Sequence, residues 1–318
     1  HVSGINQISI GTDAGADAKV PNKSGIAIGR DAGRYLEEGS YNTAIGDKAG
    51  QHVKGSLNIA MGFNAGSGTA TDKLDVTNTT AIGNNATALT NGSISIGLNA
   101  KSGKVDKFNG ENSVAIGFGA QALGTAGVAI GEESATTNGH NSVAIGSHSK
   151  TSNEKAISIG AFNAASGAQS IVMAGNYDAN SGGPVSVASG TRATVIGAET
   201  TVSGNNSLAI GDKNTVASNR TYAIGNNINV AAGANDSLVF GTKAAVGGPE
   251  AIALGNTANS KTEGAISIGA RTVSGDGDLV PGVADIGNKS ISIGYESVAN
   301  RYDTIAMGVQ ASTQAADS

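Results

Sequence analysis

The chain of 318 residues has no cysteine and no tryptophan, only 4 prolines, 3% aromatic residues and 14% charged residues. Each scarcity excludes something. Without cysteine there is no disulfide framework and no thiol nucleophile. Four prolines rule out a Pro/Gly-rich disordered tract, and the missing G-X-Y period rules out collagen. So little charge excludes disorder driven by charge and a Glu/Lys-rich coiled coil. The excess of acidic (25) over basic (20) residues, with no basic run, leaves nothing to track a phosphate backbone. No apolar stretch approaches the ~18 residues of a membrane-spanning helix. No charged and apolar leader opens the chain at His1, so it reads as a mature segment whose secretion signal and anchor lie outside it.

What is abundant is glycine, 48 residues, within a chain that is still 39% hydrophobic. The glycines close a repeat. Ser-Val-Ala-Ile-Gly stands at Ser113 to Gly117 and at Ser142 to Gly146, and close variants end at Gly11, Gly29, Gly46, Gly62, Gly83, Gly97, Gly131 and Gly160. Further variants end at Gly197, Gly211, Gly225, Gly241, Gly255, Gly269, Gly294 and Gly308. Two degenerate copies, Ile171 to Ala174 and Val185 to Ala188, put alanine in place of the glycine. Ten of the 19 successive spacings are 14 residues, which sets the unit.

Within a unit, Val114, Ala115 and Ile116 alternate with the period of a strand. The expectation is that the valine and isoleucine share the inner face, while Ala115, Ala144, Ala209 or Ser158 point outward. Small residues three and five places beyond the glycine, such as Ala86 and Ala88, Ala120 and Ala122, Ala258 and Ser260, or Ser297 and Ala299, announce a second short strand. Each unit therefore reads as strand, turn, short strand, turn. Stacked units would make a parallel β-solenoid with a thin continuous core, an elongated body on the order of 95 Å at ~4.8 Å per coil. A β-sandwich does not need a pentapeptide at fixed spacing.

The chain is expected to be one repetitive domain over 1–318, with insertions near 63–79, 98–112 and 270–289. Charged residues concentrate in those loops and in the first coils: Arg30, Asp31, Arg34, Tyr35, Glu37 and Glu38; Lys101, Lys104, Asp106, Lys107, Phe108 and Glu111; Asp276, Asp278 and Asp285. The nine-residue interval from Ala188 to Gly197 is too short for a coil, and the repeat does not account for it.

The motif Asn112-Ser113-Val114-Ala115-Ile116-Gly117, repeated at Asn141-Ser142-Val143-Ala144-Ile145-Gly146, resembles the signature of the head domain of trimeric autotransporter adhesins, with Yersinia adhesin A as prototype. Asn206 to Gly211 differs by one aliphatic exchange. The long, insertion-rich array is also similar to ubiquitous surface protein A heads of Moraxella. The resemblance covers essentially the whole chain. It implies an all-β, left-handed parallel β-roll associated as a homotrimer, held at a bacterial surface and anchored to the outer membrane through regions outside this chain. It also implies adhesion to host extracellular-matrix proteins such as fibronectin, laminin or collagen. No heptad stalk, neck or membrane strands are found in the sequence. On the expectation above, the repeated small residues Ala44, Ala81, Ala115, Ala129, Ala144, Ala209, Ala223 and Ala253 would form the trimer interface.

Chemistry has little to work with. His1, His52, His140 and His148 show no zinc spacing, and no Gly-x-Ser-x-Gly turn or phosphate-cradling glycine motif is present. Asp276 and Asp278 flank Gly277, which reads as a turn rather than a calcium loop. No catalytic, cofactor or metal residues are assigned, no enzyme activity is expected, and neither nucleic acid nor membrane contact is expected. If a discrete ligand site exists, Arg34, Glu37, Lys104 and Lys107 in the charged segments are the candidates, because loops on rigid scaffolds carry recognition. The alternative function is a carbohydrate-active or ligand-binding β-solenoid. It would need clustered carboxylates and aromatic platforms, which 3% aromatics scarcely supply.

Overall fold

The computed structural model describes residues 7–18, 25–36, 39–104, 111–175, 186–275, 289–301 and 303–313. It divides into two compact units, His1–Ala161 and Phe162–Ser318. Each is a parallel β-solenoid of roughly 14-residue coils.

In the first unit every coil contributes one three-residue strand: Ile8–Ile10, Ile26–Ile28, Thr43–Ile45, Ile59–Met61, Thr80–Ile82, Ile94–Ile96, Val114–Ile116, Val128–Ile130, Val143–Ile145 and Ile157–Ile159. Successive strands pair parallel and in matching register, so that Val114, Ala115 and Ile116 lie beside Val128, Ala129 and Ile130. A two-residue strand follows most of them, as in Gln121–Ala122 and Ala135–Thr136, and these make a second parallel ladder. The insertion after Gly62 adds a small pairing of its own, Val53–Lys54 with Leu74–Asp75. The second unit repeats the plan, with three-residue strands from Ile171–Met173 to Ile305–Met307 and two-residue strands from Thr201–Val202 to Ser312–Thr313.

The facing of the strands is the reverse of the sequence expectation. Ala115, Ala129, Ala144, Ala209, Ala223, Ala253 and Ser158 are fully buried, whereas Val114 and Ile116 are only partly covered. The residues of the second ladder that face them, Ala120 and Ala122 or Ala258 and Ser260, are fully buried as well. The interior therefore lies between two rows of small side chains, and the branched residues point out of the coil. The reason is thickness. Period-two alternation says which residues share a face but not which face is inside. Two strands joined by tight turns lie so close that small side chains fill most of the space between them, with Ile228 in the second unit as the exception. Valine enters the row in the second unit, at Val172, Val195 and Val239.

The interval that the repeat left unexplained is also accounted for. Ile171–Met173 pairs with Thr194–Ile196 and is a true copy of the longer strand. Ser186–Ala188 is not. It pairs with Asn163–Ala165 and Thr201–Val202 in the other ladder. The step from Ala174 to Gly197 is thus one coil carrying a nine-residue insertion.

Both corners need unusual backbone. Among the described residues, those five before and two after each repeat glycine adopt left-handed φ, including Asn112 (55°), Asn141 (55°), Asn206 (54°), Asn85 (54°) and Asn99 (57°). Asparagine tolerates that region best among residues with a Cβ, which explains its place at the head of the motif. The glycine itself sits where no side chain fits. Gly117 has φ 134°, and a Cβ there would stand 2.5 Å from the carbonyl oxygen of Gly131.

Candidate functional site: the outward face and its corners

Within each unit, the outward positions of the three-residue strands form two side-by-side columns. The column just before the glycine is Ile, Met, Leu or Phe on every described strand. The column two residues earlier is apolar except at Thr43, Thr80 and Thr194. Many members are well exposed: Ile59 (40%), Ile159 (38%), Ile196 (40%), Tyr222 (51%) and Phe240 (54%). An apolar strip of this regularity has the character of a contact surface rather than of scattered exposed residues. The small-residue face expected to form an interface is instead the core of each coil.

Polar ladders border the strip. At one corner Arg192 donates to Gln169 and Asn206, and Arg220 grips Asp236 through two bonds of 2.5 and 2.7 Å. At the other, Arg271 reaches Glu296 at 2.8 Å, and Gln310 donates to the same carboxylate at 3.1 Å. The hydrogen bond from Arg220 holds the Asp236 carboxyl below its usual range, and Arg30 does the same to Asp47. Glu296 is lowered first by Gln310, then by Arg271 and Tyr295. An apolar centre with a polar rim is the anatomy of a protein interface.

Asparagine amides link coil to coil along one corner. The Oδ1 atoms of Asn205, Asn219 and Asn235 each accept the backbone N–H of the corner residue one coil earlier, at 2.8–2.9 Å. Inside the roll, Asn214 donates to the Gly225 carbonyl at 2.7 Å and accepts from the Ile228 amide at 2.9 Å. These bonds satisfy groups that buried solenoid turns would otherwise strand.

Of the four candidate ligand residues, Arg34 and Lys104 lie among the described residues. Arg34 points into three carboxylates, at 2.8 Å from Asp31, 2.9 Å from Asp17 and 3.3 Å from Asp13. Hydrogen bonds to Asp31 and then Asp17 raise its pKa further. It also lies 4.5 Å over the Tyr35 ring, which stacks on His52. Its charge is spent within the chain. Lys104 reaches along the roll to Asn138, at 3.0 Å. Glu37 and Lys107 lie outside the described residues, as do Glu38, Asp106, Phe108, Asp276, Asp278 and Asp285. The motif residues Asn112 to Gly117 and Asn141 to Gly146 occupy equivalent corner, core and outward positions on their coils.

Among the described residues no group of three His, Asp or Glu could hold a metal ion. Among those residues, too, no helix is long and apolar enough to cross a membrane. In the first unit the roll encloses about 20 Å³ beside Leu36, Val53, Leu74 and Val76, room for a single water at most. In the second unit an open depression of about 560 Å³ lies over Asn206, Arg220, Tyr222, Asp236, Ser237 and Leu238, on the rim of the strip.

The outward strip was legible in one signal. Tyr222 and Phe240 occupy positions that the expected facing would put inside a core too thin for an aromatic ring.

This geometry, a two-ladder roll carrying Ser-Val-Ala-Ile-Gly on its broader ladder, meets a known family. The YadA head domain repeat (2 copies) matches residues 77–100, 109–134, 133–149, 138–163, 188–214, 247–272 and 286–311. The chain belongs to the YadA head repeat family. No curated protein matches it. YadA heads are an adhesin family, and membership suggests a cell-surface trimeric autotransporter adhesin. The matched segments fall in both units, so the head repeat is not confined to either half.

Proposed function

We infer that this chain is the head of a homotrimeric bacterial surface adhesin, a left-handed β-roll over 1–318, anchored to the outer membrane by regions outside it, that attaches the cell to host extracellular-matrix protein. The observation that carries this reading is the outward apolar strip. Each coil spends its small residues on its own core and leaves its Ile, Val, Leu and Met side chains facing out. Copies of the chain packed around a common axis would cover those columns. The polar corners would remain in water, available to a host ligand.

Three equivalent faces on one stalk gain avidity from many weak contacts. Fibronectin, laminin and collagen are the ligands to test. Host contacts are assigned to the insertions, with Lys104, Lys107 and Glu37 ahead of Arg34, whose guanidinium is already occupied. Binding of the purified assembly to each immobilised protein, with albumin as reference, tests the reading. Saturable binding to at least one, reduced only partly by any single substitution in an insertion, is the expected result. No binding to any of the three would remove the matrix reading.

A further inference from the structure

The residue just past the repeat glycine turns the first corner. In the first unit it is polar on most coils, as Thr12, Arg30, Asp47, Asn84, Glu132 and Ser147 show. Four coils depart from that rule, one with the small Ala161 and three with large apolar side chains. Phe63, Leu98 and Phe118 stand there, 47%, 43% and 47% exposed. Leu98 and Phe118 lie on adjacent coils, and Phe63 lies two coils before Leu98. In a chain with only 5 phenylalanines, two of them are placed half in water at the same corner.

We propose that Phe63, Leu98 and Phe118 form a third apolar column by which the first unit packs on a neighbouring copy of this chain, the contact face continuing round the glycine corner. The proposal rests on the assembly reading above. Continuity is the first argument. Each of the three side chains is two residues beyond an outward strip residue on its own coil: Met61 before Phe63, Ile96 before Leu98, Ile116 before Phe118. Strip and ridge are thus neighbours along every one of the three coils.

Area is the second argument. Ten strands at ~4.8 Å, with columns ~7 Å apart, make a strip of roughly 300 Å² in this unit, against ~800 Å² per partner in a standard interface. The two columns alone are narrow, and a third widens them where it occurs.

Rigidity is the third argument. The carbonyls of Phe63, Leu98 and Phe118 accept the amides of Asn85, Gly119 and Glu133 on the following coils at 2.8–2.9 Å. The side chains therefore project from a fixed backbone, which lowers the ordering cost of binding. Beside Phe118 the corner residue is Gly119, where most coils carry a side chain, and a Cβ there would meet only the Glu133 side chain, at 3.5 Å. One flank of the ring is left open.

The test compares the native chain with F63S/L98S/F118S and with L123S, which removes a leucine from the opposite ladder. Molar mass by light scattering across a dilution series reads association, circular dichroism reads folding, and matrix-protein binding is measured at a concentration where both variants are assembled. The expected result is that F63S/L98S/F118S keeps its β signal but dissociates at a concentration roughly tenfold higher or more, while L123S follows the native curve. If the native chain associates and the triple variant follows the same curve, the ridge is no part of the contact. If that variant also loses matrix binding, the ridge faces the host and the proposal is overturned in favour of a ligand site. A native chain that stays monomeric at every concentration defeats the assembly reading itself. If the triple variant loses its β signal, F118S alone is read against the same criteria.

Discussion

Ser95 and Ser102 share a hydrogen bond of 2.7 Å across the interior of one coil, Ser95 from the broad ladder and Ser102 from the narrow one. Two serine side chains span the whole core at that point. That distance favours small residues inside: alanine and serine line most of the interior, valine enters in places, and Ile228 is the one isoleucine fully buried among the described residues.

It follows that Ala115→Leu, which adds three carbons to a fully buried site, destabilises the chain by about 3 kcal/mol or more. Val114→Ala in the dissociated chain costs about 1 kcal/mol or less, because the valine is already partly in water. Urea unfolding of both variants below the association range checks the contrast. Equal losses would return the larger side chains to the core.

The corner glycines differ in kind, and alanine separates them. At Gly117 the added Cβ lies 2.5 Å from the Gly131 carbonyl oxygen at φ 134°, so the next coil must move. At Gly119, with φ 62°, the space is open and only the left-handed backbone opposes alanine. Gly117→Ala is expected to cost about 3 kcal/mol or more and Gly119→Ala about 1 kcal/mol, read from thermal melts.

Asn214 bonds the Gly225 carbonyl and the Ile228 amide, and both groups lose their partner in Asn214→Ala. The expected loss is about 1–3 kcal/mol per stranded buried group. Asn229→Ala, on the outward side of the adjoining strand, changes stability by about 0.5 kcal/mol or less.

Acid should weaken the corners. The carboxyls of Asp47, Asp236 and Glu296 are held below their usual ranges by Arg30, by Arg220, and by Gln310 with Arg271. Because their folded pKa values are depressed, the stabilisation they give is present above the unfolded pKa, near pH 4 for a carboxylate, and is lost as pH falls through the folded value. Urea midpoints should decline from about pH 4 downward, and Asp236→Asn should flatten part of that slope. The groups are solvent-exposed, so the effect is small and is damped further in 0.5 M salt. A slope unchanged by Asp236→Asn would remove that pair from the account.

The coil period, the two strands in each unit and the turns were readable from the recurring pentapeptide, because a 14-residue spacing leaves few other ways to stack strands. The inside and outside of the coil were not. Alternation is symmetric under exchange of faces, and the usual rule that larger apolar residues go inside fails where the core is two methyl groups thick. Tyr222 and Phe240 carried the missing information, since neither ring fits such a core. The role of Arg34 was hidden for another reason. Asp13, Asp17 and Asp31 reach it from its own coil and the one before, and the charge reads as free until those coils are stacked. Likewise Ser186–Ala188 mimics the repeat in composition, and only its pairing shows that it belongs to the other ladder.

The chain has no cysteine, so a single one introduced by substitution reports accessibility without background. Thiol labelling of Ala115→Cys and Ile116→Cys, each at high and low protein concentration, tests the central claim most directly. The account predicts that the label at 115 enters only on unfolding, whereas the label at 116 enters the dilute folded chain readily and is blocked in the concentrated assembly. Rapid labelling at 115 with protection at 116 in the dilute chain would contradict it, by putting the isoleucine face inside after all.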